Sequence, residues 1–182
     1  IIFFGEASFS PLQIVLTLMV FLWGFRLGEY LFVRILKIGK DLRFDGIRES
    51  ISRFTVFWIL QAFTIWIVML PVTIVLSLGQ SYGLSILPLI GIIVWALGLI
   101  IESVADTQKY RAKTSGAKWI EKGLWRYSRH PNYFGESLIW IGIFLAAIPA
   151  LSGWMWISLV SPVYITVLLL FGTGVPTVEK RH

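Results

Sequence analysis

The chain has 182 residues, 57% hydrophobic and only 14% charged, with a formal charge of +6. Soluble domains average roughly 45–50% apolar and about 25% charged residues, so this composition excludes an ordinary water-soluble globule and calls for lipid around it. Without cysteine there are no disulfides, no thiolate chemistry and no cysteine-ligated metal, and no metal site is expected.

Apolar runs recur from end to end with no Pro/Gly/Ser linker, repeat or low-complexity stretch, so residues 1–182 read as a single membrane domain. The chain opens on Ile1-Ile2-Phe3-Phe4 and stops at Glu179-Lys180-Arg181-His182, and both ends read as truncated. The first residues lack the basic start of a signal peptide.

A spanning helix needs about 20 apolar residues. Five such stretches occur: Pro11 to Val33, Phe54 to Leu78, Leu84 to Val104, Tyr133 to Ile148 and Trp154 to Phe171. The last two are joined by Pro149-Ala150-Leu151-Ser152-Gly153, a turn rich in helix breakers, and form a hairpin. The expected fold is all-α, a polytopic transmembrane helical bundle. It suits a bacterial inner membrane and a eukaryotic endomembrane equally.

The basic residues set its orientation. Arg34 to Arg53, Lys109 to Arg129 and the C-terminal Lys180-Arg181 hold fifteen of the sixteen Lys and Arg, whereas Gly79 to Gly83 and Pro149 to Gly153 carry no charge. Five spans bring the three basic stretches to one side, and the positive-inside bias makes that side, with the C-terminus, cytoplasmic. Basic residues in loops between spans point to an anionic cofactor or anionic lipid as partner, not to nucleic acid.

Charge within a span is costly, about 2.5–3.5 kcal/mol on insertion scales. Arg26 and Glu29, three apart on the first span, are expected to share a helical face and pair, with a direct substrate role as the alternative. Gln61 in the second span reads as helix glue. Pro71 removes a backbone hydrogen bond and should kink that span, either opening a cavity for a lipidic substrate or accommodating packing.

The segment from Glu102 to Glu136 carries the strongest functional signal. Glu102 and Asp106 lie four apart on one helix face; a basic stretch with Lys109, Arg111, Lys113 and Lys118 follows. Gly123-Leu124-Trp125 then leads through Arg126, Tyr127, Ser128, Arg129 and His130 to Pro131, a favoured first helical residue. The free N–H groups and positive dipole end of that helix face Arg126, Arg129 and His130, a place suited to phosphate. A lipid anchor would need the cations alone; the ordered addition of Asn132, Tyr133 and Glu136 at helical spacing is more than an anchor requires.

The stretch Arg126-Tyr127-Ser128-Arg129-His130-Pro131-Asn132-Tyr133-Phe134-Gly135-Glu136 resembles the DUF1295 family of membrane proteins related to steroid 5-alpha-reductases. The likeness extends to Trp23-Gly24-Phe25-Arg26-Leu27, Asp41-Leu42-Arg43, Glu102 with Ala105-Asp106, and Gly174-Val175-Pro176 with Glu179-Lys180. It implies a helical-bundle reductase that binds NADPH from the cytoplasmic side and reduces a carbon–carbon double bond in a lipophilic enone or sterol-like molecule.

By position in the motif, the likeness puts Asp106, Lys118, Tyr127, Asn132 and Glu136 in the cofactor cleft, with Arg129 and His130 as looser counterparts and Tyr133 beside them. It assigns no catalytic proton donor. The same superfamily contains methyltransferases that use S-adenosylmethionine on isoprenylcysteine or phospholipid amines. Those usually carry adjacent glutamates near the C-terminus, where this chain has Thr177-Val178-Glu179-Lys180, with one. NADPH-dependent reduction is therefore the expectation, methyl transfer the first alternative and a non-catalytic subunit of a membrane assembly the second.

Overall fold

The computed structural model describes residues 9–38, 47, 49–116 and 120–172. The described residues are mostly helical, with no strand among them, and five helices are long and apolar enough to cross a membrane. The fold is a polytopic helical bundle built from α1 (Pro11–Ile38), α2 (Ile51–Val68), α3 (Leu70–Ser77), α4 (Ile86–Thr114), α5 (Pro131–Ala147) and α6 (Val160–Val167). A 3₁₀ segment, Gly153–Leu159, leads into α6 and a π turn, Leu168–Gly172, follows it.

A reciprocal capping box starts α1. The Ser10 N–H donates to Gln13 Oε1 at 2.9 Å, and the Gln13 N–H donates to Ser10 Oγ at 3.3 Å. The Gln13 amide also donates to the Val75 and Leu78 carbonyls, both at 3.1 Å. These carbonyls belong to the end of α3, where helix geometry leaves acceptors without partners. One side chain thus caps its own helix and ties it to another.

The expected second span is divided: α2 stops at Val68, Met69 intervenes, and α3 resumes with Pro71 in its first turn. Pro71 has no N–H to continue the ladder, so the break falls where the ring forces it. The helix that holds the expected third span, α4, runs on past Val104 to Thr114. Hydropathy marks the lipid slab, whereas Ala, Gln, Lys and Arg carry the helix on beyond it.

Helices α4 and α5 run antiparallel on a seam of small residues. A Cβ on Gly91 would fall 2.5 Å from Ala146 N, one on Gly98 2.7 Å from Gly135 O, and one on Gly142 2.5 Å from Trp95 N. Only hydrogen fits at such separations, and the two backbones pack directly on each other. Against this pair α1 lays Leu12, Leu16, Met19, Trp23 and Arg26, a 4-3-4-3 spacing that forms a continuous seam. On the opposite flank Ser161 Oγ donates to Val68 O at 2.7 Å, and the Thr64 and Tyr164 hydroxyls meet at 3.0 Å, joining α2 to α6.

Lys37 lies over the Tyr110 ring at 5.6 Å, so the basic ends of α1 and α4 meet at one end of the bundle. At the other end Leu12 N–H donates to Tyr82 O, and Ile74, Phe144 and Leu151 cluster, which gathers the two uncharged turns there. Outward faces carry large apolar side chains such as Phe25, Trp58, Trp66, Ile93 and Phe171. Gln61 lies exposed on that outer surface, and among the described residues its amide makes no hydrogen bond to another helix.

Candidate functional site

The first-span arginine finds its partners across the bundle, not along its own helix. Arg26 Nη1 donates to Asp106 Oδ2 at 2.9 Å, and Nη2 is ion-paired with Glu102 Oε1. The expected Arg26–Glu29 pair does not form, and Glu29 is exposed. Arg26 continues the inward seam of α1, while Glu29 falls one position off it. Glu102 and Asp106, one turn apart and only 4% and 7% exposed, offer a forked guanidinium two acceptors at once.

The glycine seam brings this ion triad to the start of α5. A Cβ on Gly135 would meet Glu102 N at 2.6 Å, so the first turns of α5 press on the acidic face of α4. Glu136 follows, partly buried, and its charged neighbours are Glu102, Asp106 and Arg26. Asn132, Glu136 and Trp140 recur at four-residue steps and share one face of α5. The Asn132 Oδ1 atom is buried and accepts no hydrogen bond from the described residues.

The connection between α4 and α5 is held by side chains of α4. Leu124 N–H donates to Gln108 Oε1 at 3.0 Å, Trp125 Nε1–H donates to Ala105 O at 3.0 Å, and Lys109 Nζ lies 5.3 Å from the Trp125 ring centre. Gly123 has φ 65°, a left-handed conformation that favours glycine, and the Gln108 amide end lies where a Cβ would be. The chain then turns through Ser128, whose Oγ accepts from His130 N–H at 3.2 Å, and enters α5 at buried Pro131. The His130 and Tyr133 rings stack at 5.2 Å with an interplanar angle of 8°.

Of the residues singled out in the sequence, Asp106, Asn132 and Glu136 gather where α1, α4 and α5 meet, with His130 and Tyr133 stacked beside them. Tyr127, 85% exposed, and Arg129, also exposed, lie on the solvent-facing rim with Arg126. Lys118 lies outside the described residues, as do Asp41 to Arg43 and Gly174 to Lys180. Sequence reasoning missed the cross-bundle role of Arg26, although the 4-3-4-3 spacing from Leu12 was there to find it. It also missed Gln108 and Trp125, which hold the connection.

No cluster of three or more metal-ligating side chains occurs among the described residues. An open apolar groove of about 670 Å³ runs along the last span, lined by Leu159, Val163, Tyr164, Val167 and Phe171 among others. None of its lining residues belongs to the polar cluster.

Such a cluster can bind and orient a polar ligand at the edge of the apolar slab. The α5 N-terminus offers backbone N–H groups and a positive dipole end, Asn132 a buried acceptor, and the rim cations attraction for an anion. The family described as "Protein of unknown function (DUF1295)" matches residues 1–182, the whole chain. No curated protein and no solved structure matches it.

Proposed function

We propose, from the premise that the chain belongs to the DUF1295 family, that it is a multi-pass integral membrane reductase that uses NADPH to saturate a carbon–carbon double bond in a lipophilic, enone-like substrate. The observation that carries this reading is the buried, unsatisfied Asn132 Oδ1 on the first turn of α5, one turn from Glu136 and beside the Arg26–Glu102–Asp106 triad. A buried acceptor of this kind calls for a donor from a ligand, such as a carboxamide or ribose hydroxyl.

The surrounding residues fit a phosphorylated dinucleotide. Arg126, Arg129, Lys109 and Arg111, with the N-terminus of α5, would hold pyrophosphate and 2′-phosphate. Asn132, Tyr133 and Glu136 would orient ribose or nicotinamide. Bound there, NADPH would supply a hydride to one carbon of the double bond while a proton reaches the other. The bundle's apolar outer faces suit a substrate that arrives sideways from lipid, with membrane lipids as constant neighbours.

The test is a comparison of NADPH, NADH and S-adenosylmethionine affinities for the full-length protein in detergent. Tighter binding of NADPH than of NADH, through the 2′-phosphate, is expected. Tight binding of S-adenosylmethionine with none of NADPH would replace reduction by methyl transfer. Binding of none of the three would leave a non-catalytic membrane subunit.

A further inference from the structure

Helix α2 crosses the apolar slab while packing closely on its own bundle only at one end. Of its 18 residues the last two, Ile67 and Val68, are buried. Before them Thr64 meets the Tyr164 hydroxyl of α6 at 3.0 Å, and Ile51 to Phe63 are exposed apart from the partly buried Phe57. On the outward side Ile51, Phe54, Trp58, Gln61 and Ile65 follow one another at steps of 3, 4, 3 and 4, the spacing of a helix-pairing seam. All five are exposed. The like-spaced seam of α1 packs onto α4 and α5, whereas that of α2 faces away from the bundle.

The polar member of this seam asks for a partner that lipid does not offer. Gln61 lies ten residues beyond Ile51, where α2 begins. At about 1.5 Å per residue that is about 15 Å along the helix, well inside a slab of about 30 Å. Its amide makes no hydrogen bond among the described residues. Acyl chains have neither donor nor acceptor, and an unpaired amide in hydrocarbon is costly. We propose that α2 is a homodimerisation helix, on which the Gln61 amides of two copies of this chain hydrogen-bond each other across a twofold axis.

Topology and chemistry select a second copy as the occupant. Copies inserted in the same sense can be related by a twofold along the membrane normal, and each residue near that axis meets its own counterpart at equal depth. An amide suits such a meeting, because its carbonyl accepts while its NH₂ group donates, and two identical amides satisfy each other. A carboxylate such as Glu29 would meet like charge there. Phe54 and Trp58, edge to face at 6.0 Å, lie with Ile51 on one side of the amide and Ile65 on the other, giving bulky surface for the partner helix. One polar side chain in an otherwise apolar seam also fixes register, since any slip strands both amides. The polar cluster lies among α1, α4 and α5, so pairing through α2 leaves it open in each copy, whichever reaction it serves.

The experiment places the full-length protein, fluorescently tagged, in phosphatidylcholine bilayers over a range of protein densities. Energy transfer between copies should report a dimer that dissociates as it is diluted in lipid. Gln61→Leu should weaken that dimer about tenfold, the loss of two interhelical hydrogen bonds. Because Gln61 is exposed, the same change should leave thermal unfolding of the monomer in detergent unaltered. Single cysteines, introduced into a chain that has none, read the geometry. On oxidation Trp58→Cys and Ile65→Cys should form disulfide-linked dimers, while Ile59→Cys and Phe63→Cys, on the opposite face of α2, should not.

A protein that stays monomeric at every density would overturn the proposal, as would a Gln61→Leu variant that associates as tightly as wild type. Cross-links from Ile59→Cys and Phe63→Cys as strong as those from Trp58→Cys and Ile65→Cys would refute the seam. Cross-linking of Gln61→Cys in one copy to Glu29→Cys in another, with none between two Gln61→Cys copies, would refute the twofold. A Gln61→Leu monomer less stable than wild type would assign the amide to its own bundle and overturn the pairing.

Discussion

A Cβ on Gly135 would fall 2.6 Å from the backbone nitrogen of Glu102, so the start of α5 and the acidic face of α4 are in backbone contact. The polar site exists because glycine permits that approach. Gly142→Ala and Gly98→Ala should each destabilise the bundle by about 1–3 kcal/mol, since the obstructing atoms include backbone that cannot swing away. Gly24 on α1 has nothing within 4 Å of its missing Cβ, and Gly24→Ala should be neutral or stabilise by up to about 1 kcal/mol. Thermal unfolding in detergent separates the cases; equal effects at the three positions would deny the seam its role.

Breaking the triad from one side should be worse than removing it. Arg26→Leu strands two buried carboxylates and should cost about 3–5 kcal/mol, while Arg26→Met with Glu102→Leu and Asp106→Leu should cost less. Glu29→Leu, at an exposed position, should stay within about 0.5 kcal/mol of wild type. Additive losses from Arg26→Leu and Asp106→Leu would show that the 2.9 Å contact carries no coupling.

Gln13 has separable duties. Gln13→Glu keeps an acceptor for the Ser10 N–H but loses both donations to α3; Gln13→Ala loses everything. The expected order of stability is wild type, then Glu, then Ala, with the whole range about 1–3 kcal/mol. A Glu variant as stable as wild type would mean that the contacts to Val75 and Leu78 contribute nothing.

Arg129→Ala should weaken NADPH binding roughly ten- to a hundredfold, the loss of one charge-assisted contact of about 1.5–3 kcal/mol. NADH affinity should fall less if Arg129 serves the 2′-phosphate. An unchanged NADPH affinity would reduce Arg129 to a lipid anchor. Asn132→Leu should weaken both dinucleotides alike, because it removes a contact that does not read that phosphate.

Sidedness can be read by single-cysteine labelling, since the chain has no cysteine of its own. Ser81 and Ser115, both exposed, should react from opposite sides of the membrane. Labelling of the two from one side would contradict the alternation of the five spans.

Much of this architecture was legible in the residues. Five apolar runs located five helices, and Pro131 marked the first residue of α5, because run length and proline's missing N–H are local properties. Asn132 and Glu136 were legible as one helix face from their four-residue spacing, whereas Asp106 was grouped with them only through the resemblance to steroid reductases.

What escaped was long-range. Arg26 was assigned to Glu29, its neighbour in sequence, because helical spacing reports nearness along one helix and is silent about which helix packs opposite. The Met69 break was foreseen only as a kink at Pro71. Gln13 drew no attention in the sequence, because its hold on α3 depends on where another helix ends.

Arg26 and Asp106 are 80 residues apart along the chain, which imposes an order on biogenesis. When α1 leaves the ribosome its arginine enters the membrane before either acidic partner has been synthesised. At about 2.5–3.5 kcal/mol, an unpaired arginine in the slab makes that first insertion reversible. Only the arrival of α4 locks α1 across the bilayer, so a chain stopped before Glu102 should leave a larger share of α1 uninserted than the complete one.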